Sequence, residues 1–429
     1  MFIPSHTRVT LLARTLLIAA MTLSVFFFSQ ENATAKAVSI DSSSEKKEKT
    51  DEIKGSLVII GGALRSDNEA VWKRVVLQAG GKGAKIAVIP AASERPAAVG
   101  KLTADTLNRF GANAFVIPLS LNYKDNSHQD IVKNPQWIAK LRRASGVYFT
   151  GGDQEKITQV LQQANGNQSP MLEAIWEIYR NGAVIAGSSA GAAIMSTSMS
   201  YVAPLSAMKS GLVNGKDIVP GLGFVGNQVF VDQHFIIRGR FARMIPIMLK
   251  ANYKLGLGID ENTAMVISRQ TEVEIIGYKG ALLVDLTDAK AAAIDSDFSV
   301  SNIKLSYLDQ GDKFNLLSKV LTVPPDKIAG KVNPSRPYNN EHLFYTDILA
   351  NSTAVDLMFK LIDNKQPQAI GLAFSDVEDV RPDLGFEFVF SRTPESVGYF
   401  SAASGAVSYS IRDLRLDIRP VKMSLPLYR

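Results

Sequence analysis

The chain has 429 residues, 46% of them hydrophobic and 21% charged, which is enough apolar mass for one large domain with a smaller one, or for two. Its 47 basic residues only slightly outnumber 41 acidic ones, and the excess is spread along the chain, so there is no nucleic-acid footprint. Cysteine is absent, which excludes disulfides, a thiol nucleophile, a cysteine-based metal site and lipid attachment through a processed cysteine.

Residues 1–35 stand apart. Arg8 and Arg14 precede an apolar stretch from Thr15 to Phe28, and Ala33-Thr34-Ala35 follows, the layout of a secretory signal peptide cleaved after Ala35. A membrane anchor is the competing reading, but the apolar run is short for a span, and no later segment is long and apolar enough to cross a bilayer. Residues 36–54 are polar and charged, without hydrophobic periodicity, and are expected to form a flexible leader. From Gly55 the pattern alternates. Strands are predicted over 56–62, 84–93, 113–120, 146–154 and 183–189, with helical spacing at 69–80, up to about Phe110, and in EKITQVLQQA and MLEAIWEIYRNG. Such alternation predicts a parallel sheet covered by helices on both faces, with functional residues at the C-terminal strand ends. GGALRS, PAASE, TGGDQ and GSSAG all occupy such ends. Beyond Ala264, hairpin-like runs close a core domain predicted to span 55–318. A Pro-containing connector then leads to a separate C-terminal module over 319–429, α+β or β-rich, with a helical stretch near 341–364.

Gly187-Ser188-Ser189-Ala190-Gly191 fits G-x-S-x-G, a pentapeptide that chance supplies on the order of 0.2 times in a chain like this. Its position between a strand and a potential helix start favours a nucleophile elbow with Ser189 at the apex and Ser188 as a small neighbour. The competing reading is a packing corner of small residues. A serine needs a base. Outside the signal peptide the histidines are His128 in a polar loop, His342 in the C-terminal module, and His234 at the end of the apolar strand QVFVDQ. His234 is the expected base. The acid that orients it could be Asp260 or Glu261, at a turn after another apolar strand, or Asp232. Alternation makes Asp260 and Glu261 face opposite sides without choosing between them.

SLVIIGGALRS, VYFTGGDQEKI, VIAGSSAGAAIM, VDQHFIIRGRFARM and LGLGIDENTA occur in this order over roughly residues 56 to 318. Together they resemble the cyanophycinases, serine peptidases related to the aspartyl dipeptidases. The resemblance implies a flavodoxin-like, class I glutamine amidotransferase-like three-layer sandwich with a mostly parallel sheet. It also implies Ser189 as nucleophile, His234 as base and Glu261 as third member of the triad. This Ser…His…Glu order departs from the α/β-hydrolase order and so argues against a lipase or esterase. Backbone N–H groups of Gly152 and Ala190 would form the oxyanion hole. Gln154, Asp232, Gln233, Arg238, Arg240 and Arg243 match polar positions around the family's substrate, although Ala242 stands where the pattern usually has glycine.

The implied substrate is cyanophycin, a poly-aspartate backbone carrying arginine on its β-carboxyls, and the implied products are β-aspartyl-arginine dipeptides. No cofactor or metal is called for, and the family suggests a homodimer. With a signal peptide, the enzyme would work outside the cell or in a periplasm, free of the membrane after cleavage. The C-terminal module carries no catalytic pattern and could bind insoluble polymer, support dimerisation or contact the envelope. Two other functions compete: a serine dipeptidase for other aspartyl or isoaspartyl peptides, and an exported binding protein that has lost activity.

Overall fold

The computed structural model describes residues 53–424, apart from 125–126, 164–165, 294–295, 375–378, 404 and 406. The signal peptide expected over 1–35 and nearly all of the leader lie outside the described residues. The predicted alternation forms β1 (Ser56–Ile60), α1 (Glu69–Gln78), β2 (Lys85–Ile89), α2 (Pro96–Arg109), β3 (Asn113–Val116), α3 (His128–Ile131), α4 (Pro135–Arg142), β4 (Gly146–Phe149), α5 (Gln154–Leu161), α6 (Pro170–Arg180) and β5 (Val184–Ser188). Local chemistry marks the helix starts. Asn68 and Ser169 accept backbone N–H groups at the heads of α1 and α6, and Pro96, Pro135 and Pro170 open α2, α4 and α6.

After the elbow come α7 (Ala190–Ala193), β6 (Ser198–Ser200), α8 (Pro204–Lys209), β7 (Ile218–Pro220), β8 (Val229–Gln233), α9 (Phe241–Lys250) and β9 (Leu255–Ile259). A run of antiparallel elements follows: β10 (Thr263–Ser268), β11 (Glu272–Gly277), β12 (Ala281–Asp285), β13 (Lys290–Ala291), β14 (Val300–Leu308), β15 (Lys313–Asn315) and β16 (Leu321–Thr322). The remainder forms α10 (Pro325–Ala329), β17 (Phe344–Tyr345), α11 (Thr353–Ile362), β18 (Gln368–Ala373), β19 (Leu384–Ser391), β20 (Val397–Ser401) and β21 (Ser408–Lys422).

The architecture is mixed α/β. One nine-stranded sheet runs β16-β15-β11-β10-β1-β5-β4-β2-β3, and its five strands from β1 to β3 are mutually parallel. A second sheet runs β17-β18-β19-β21-β14-β12-β9-β8, with β13 and β20 attached. Here the structure departs from the expectation of one dominant parallel sheet. Strands β8 and β9 pair in parallel with each other in the second sheet and pair with nothing in the first.

Three layers of side chains hold the sheets. Val58, Ile60, Ile86 and Val88 pack with α1 and α2 on one face of the first sheet. Leu57, Ile59, Ile185, Val229, Val231, Leu257 and Ile259 share one core between the two sheets. Phe230, Phe386, Phe388 and Phe390 pack with α9 and α11 on the far face of the second. Each fully buried Val, Leu, Ile or Phe contributes about 1.5–3 kcal/mol. This alternation of faces along β8 locks its register.

Within 319–429, expected as a module of its own, the described strands β17 to β21 continue the second sheet, while β16 pairs β15 at the edge of the first. β21 pairs with β14 along Val300–Tyr307, and β19 and β18 extend the ladder outward. The edge of β14 would otherwise present unpaired backbone groups over an apolar face, and β21 supplies the partner. The helix expected near 341–364 is shorter and begins at Thr353, after Ser352 at φ 63°.

Candidate active site

The end of β1 organises the site. Three successive carbonyls each accept a backbone N–H from a distant segment: Ile60 from Ser189 at 3.0 Å, Gly61 from His234 at 2.8 Å and Gly62 from Asn262 at 2.8 Å. The closeness requires glycine. A Cβ on Gly61 would lie 2.0 Å from the Asp260 carbonyl oxygen, and one on Gly62, at φ +110°, would lie 2.3 Å from the His234 ring. Gly61 and Gly62 open the GGALRS strand end, and this Gly pair is what lets the distant segments approach.

Ser189 stands at φ 54°, ψ −109° between β5 and α7, a strained turn that costs on the order of 1–3 kcal/mol. The elbow's own glycines permit it. Added Cβ atoms would meet the Gly191 carbonyl oxygen at 2.1 Å from position 187 and the Phe149 carbonyl oxygen at 2.4 Å from position 191. Ser188 is buried at the end of β5, beside the elbow, and reads as a packing residue.

Ser189 Oγ lies 2.8 Å from His234 Nε2, and His234 Nδ1 lies 2.7 Å from Glu261 Oε1. A carboxylate only accepts, so Nδ1–H donates to Glu261 and the Nε2 lone pair faces the serine hydroxyl. Asp260, one residue earlier, points elsewhere. It is buried, pairs with Lys279 Nζ at 3.0 Å and accepts the Ile237 N–H at 3.3 Å. Strand alternation at the end of β9 thus separates the two acids, and Asp232 is engaged with arginines instead.

The remaining expected residues divide. Gly152 follows β4 at φ +139°, and a Cβ on its neighbour Gly151 would lie 3.2 Å from Ser189 Cβ, so this loop borders Ser189. Ala190 is the first residue of α7, where a helix N–H has no helical acceptor. Gln154 is buried and donates to the Ser200 carbonyl at 3.2 Å. Asp232 receives a bidentate pair from Arg243, Nε at 2.7 Å and Nη2 at 2.6 Å, and Arg240 Nη1 at 3.3 Å. Arg240 also donates to the Gln233 side chain at 2.7 Å. Burial, aided by the neighbouring arginines, pulls the Arg240 pKa down to about 10. In this structure Asp232, Gln233, Arg240 and Arg243 satisfy one another, because buried charges must be paired where water is excluded. Arg238 differs: it is exposed and makes no hydrogen bond or ion pair among the described residues.

Burial is the main cause that lowers the His234 pKa below its ordinary 6.5; the hydrogen bond that Nδ1–H donates to Glu261 opposes this, while Arg238 and Arg240 add to it. The imidazole is therefore neutral and able to accept a proton at neutral pH. Activity should rise with pH along an acidic limb centred below 6.5. Removing a positive neighbour makes protonation easier, so Arg238→Gln should move that limb of kcat/KM to higher pH. A pH–rate profile with an unshifted or downward-shifted limb would refute the assignment.

Residues 57–276 match the model for peptidase family S51. A cyanophycinase from Nostoc sp. is 31% identical over 290 residues, spanning 64% of this chain and 90% of the relative. One from Synechococcus elongatus is 30% identical over 274 residues, spanning 61% of this chain and 80% of the relative. The crystal structure of a peptidase from an acI-B1 Actinobacterium is 20% identical with a TM-score of 0.44, covering 62% of this chain and 98% of that one. The chain belongs to peptidase family S51 and is a serine-type peptidase.

Proposed function

We propose that the protein is an exported cyanophycinase, acting outside the cell or in a periplasm as a homodimer on a class I glutamine amidotransferase-like core. The observation that carries this reading is the Ser189–His234–Glu261 relay, 2.8 Å and 2.7 Å long, at the junction of the two sheets. Both separations fall in the range a general base and its orienting group need.

Ser189 Oγ attacks the backbone carbonyl of an aspartyl unit as its proton passes to His234 Nε2. The developing oxyanion accepts hydrogen bonds from the N–H groups of Gly152 and Ala190, an interaction worth several kcal/mol. His234 returns the proton to the leaving amine. Water then attacks the acyl-enzyme with His234 again as base, and the products are β-aspartyl-arginine dipeptides. Glu261 holds the Nδ1–H tautomer and stabilises the imidazolium formed at each step. Arg238, exposed and beside His234, is the cation available to a free substrate carboxylate.

The test is digestion of cyanophycin granules by purified protein, with the soluble products separated and weighed by mass spectrometry. Release of β-aspartyl-arginine is the expected result. Intact granules together with cleavage of small aspartyl peptides would move the substrate to the dipeptidase class and overturn the cyanophycin assignment.

A further inference from the structure

Tyr201, which no sequence motif singled out, connects the two halves of the site. Its hydroxyl donates to Asp153 Oδ1 at 3.2 Å and accepts the Glu155 N–H at 2.8 Å. Asp153 directly follows Gly152 and caps α5, accepting the same Glu155 N–H at 3.0 Å. The segment carrying Tyr201 is anchored on both sides. Gln154 holds the Ser200 carbonyl, and Arg243 Nη1 donates to the Val202 carbonyl at 3.0 Å. Arg243 is in turn locked onto Asp232, in the strand that leads directly to His234. A closed chain of contacts therefore runs from the Gly152 loop through residues 200–202 and the Asp232–Arg243 pair to the base. Tyr201 also lines, with Gly152, Asp153, Glu94, Glu155 and Ala92, a cavity of about 590 Å³ beside that loop.

We propose that Tyr201 is a positioning residue for the Gly152 N–H, holding the loop after β4 in register with Ser189 through its two hydroxyl hydrogen bonds. This rests on the reading of Gly152 as an oxyanion donor. Gly152 and Asp153 are exposed; besides the capping bond, this part of the loop is held by the Asp153 N–H donating to the Ala92 carbonyl at 2.9 Å, against which Gly152 also packs. Burial and the carboxylates of Asp153 and Glu155 raise the Tyr201 pKa, so the hydroxyl keeps its proton across the working range.

The experiment compares Tyr201→Phe, Asp153→Ala and Asp153→Asn with the unmodified protein on a short soluble cyanophycin oligomer. A misplaced oxyanion donor weakens the transition state and leaves ground-state binding intact. Tyr201→Phe should lower kcat about tenfold with KM within about twofold, given that removing such a donor costs about 100-fold to 1,000-fold. A peptide aldehyde that mimics the tetrahedral state should lose affinity by a similar factor. Asp153→Ala should match it, and Asp153→Asn, which still accepts both bonds, should stay near the unmodified rate. The acidic limb of the pH profile should not move, because the His234 surroundings are untouched. Unchanged kcat in Tyr201→Phe, or a loss confined to KM, would overturn the proposal. Its failure is separable from failure of the serine mechanism, which Ser189→Ala tests on the same substrate.

Discussion

Ser189→Ala is expected to lower kcat/KM by about 10⁴-fold to 10⁶-fold, as loss of the nucleophile does in other serine peptidases. In the proposed mechanism Ser189 Oγ forms the acyl bond, and Ser188 is buried and makes no hydrogen bond to His234. No other serine or threonine hydroxyl among the described residues is hydrogen-bonded to His234. The fold should survive the change. The strained φ of 54° is imposed by Gly187, Gly191 and the bond to Ile60, none of which involves Oγ. Progress curves and a thermal melt on the same sample check both halves of the expectation. Retention of a tenth or more of the activity would remove Ser189 from the mechanism.

Asp232→Asn should destabilise the protein by about 3–5 kcal/mol, the range for breaking one partner of a buried ion pair. The Asp232 and Arg243 side chains are each only 4% exposed, so water cannot replace the lost charge. Arg240, the second cation on the same carboxylate, loses its partner at the same time. Replacing both Asp232 and Arg243 by neutral residues of similar size should cost less than the two single changes added together, since no charge is then left unpaired. Urea unfolding of the three variants measures this. A loss under about 1 kcal/mol in Asp232→Asn, typical of an exposed pair, would refute a structural role and return Asp232 to the substrate contacts.

These two residues illustrate how much of the site was legible in advance. Ser189, His234 and Glu261 stand on motifs at strand ends where the chain must turn, and the fold brings their side chains within hydrogen-bond reach. The arginine-rich turn after His234 was legible as a charged group, but its direction was not. Only packing reveals that Asp232 and Arg243 face each other, while Arg238 faces outward. Tyr201 had no signal at all, since it lies in an irregular segment and acts through contacts spanning 46 and 48 residues.

Local pattern was enough to identify the alternating α/β elements, the parallel strands from β1 to β5, the elbow serine and the scarcity of possible bases. These follow from side-chain periodicity and backbone freedom, both of which act within a few residues. The second sheet, its extension by β17 to β21, and the separation of Glu261 from Asp260 depend on pairings between segments far apart in the chain. The carbonyls of residues 60–62 gather Ser189, His234 and Asn262 by hydrogen bonds that span 129, 173 and 200 positions, and such bonds leave no periodic trace in sequence. The candidate residues are thus written in three short motifs, and their geometry in the end of a single strand.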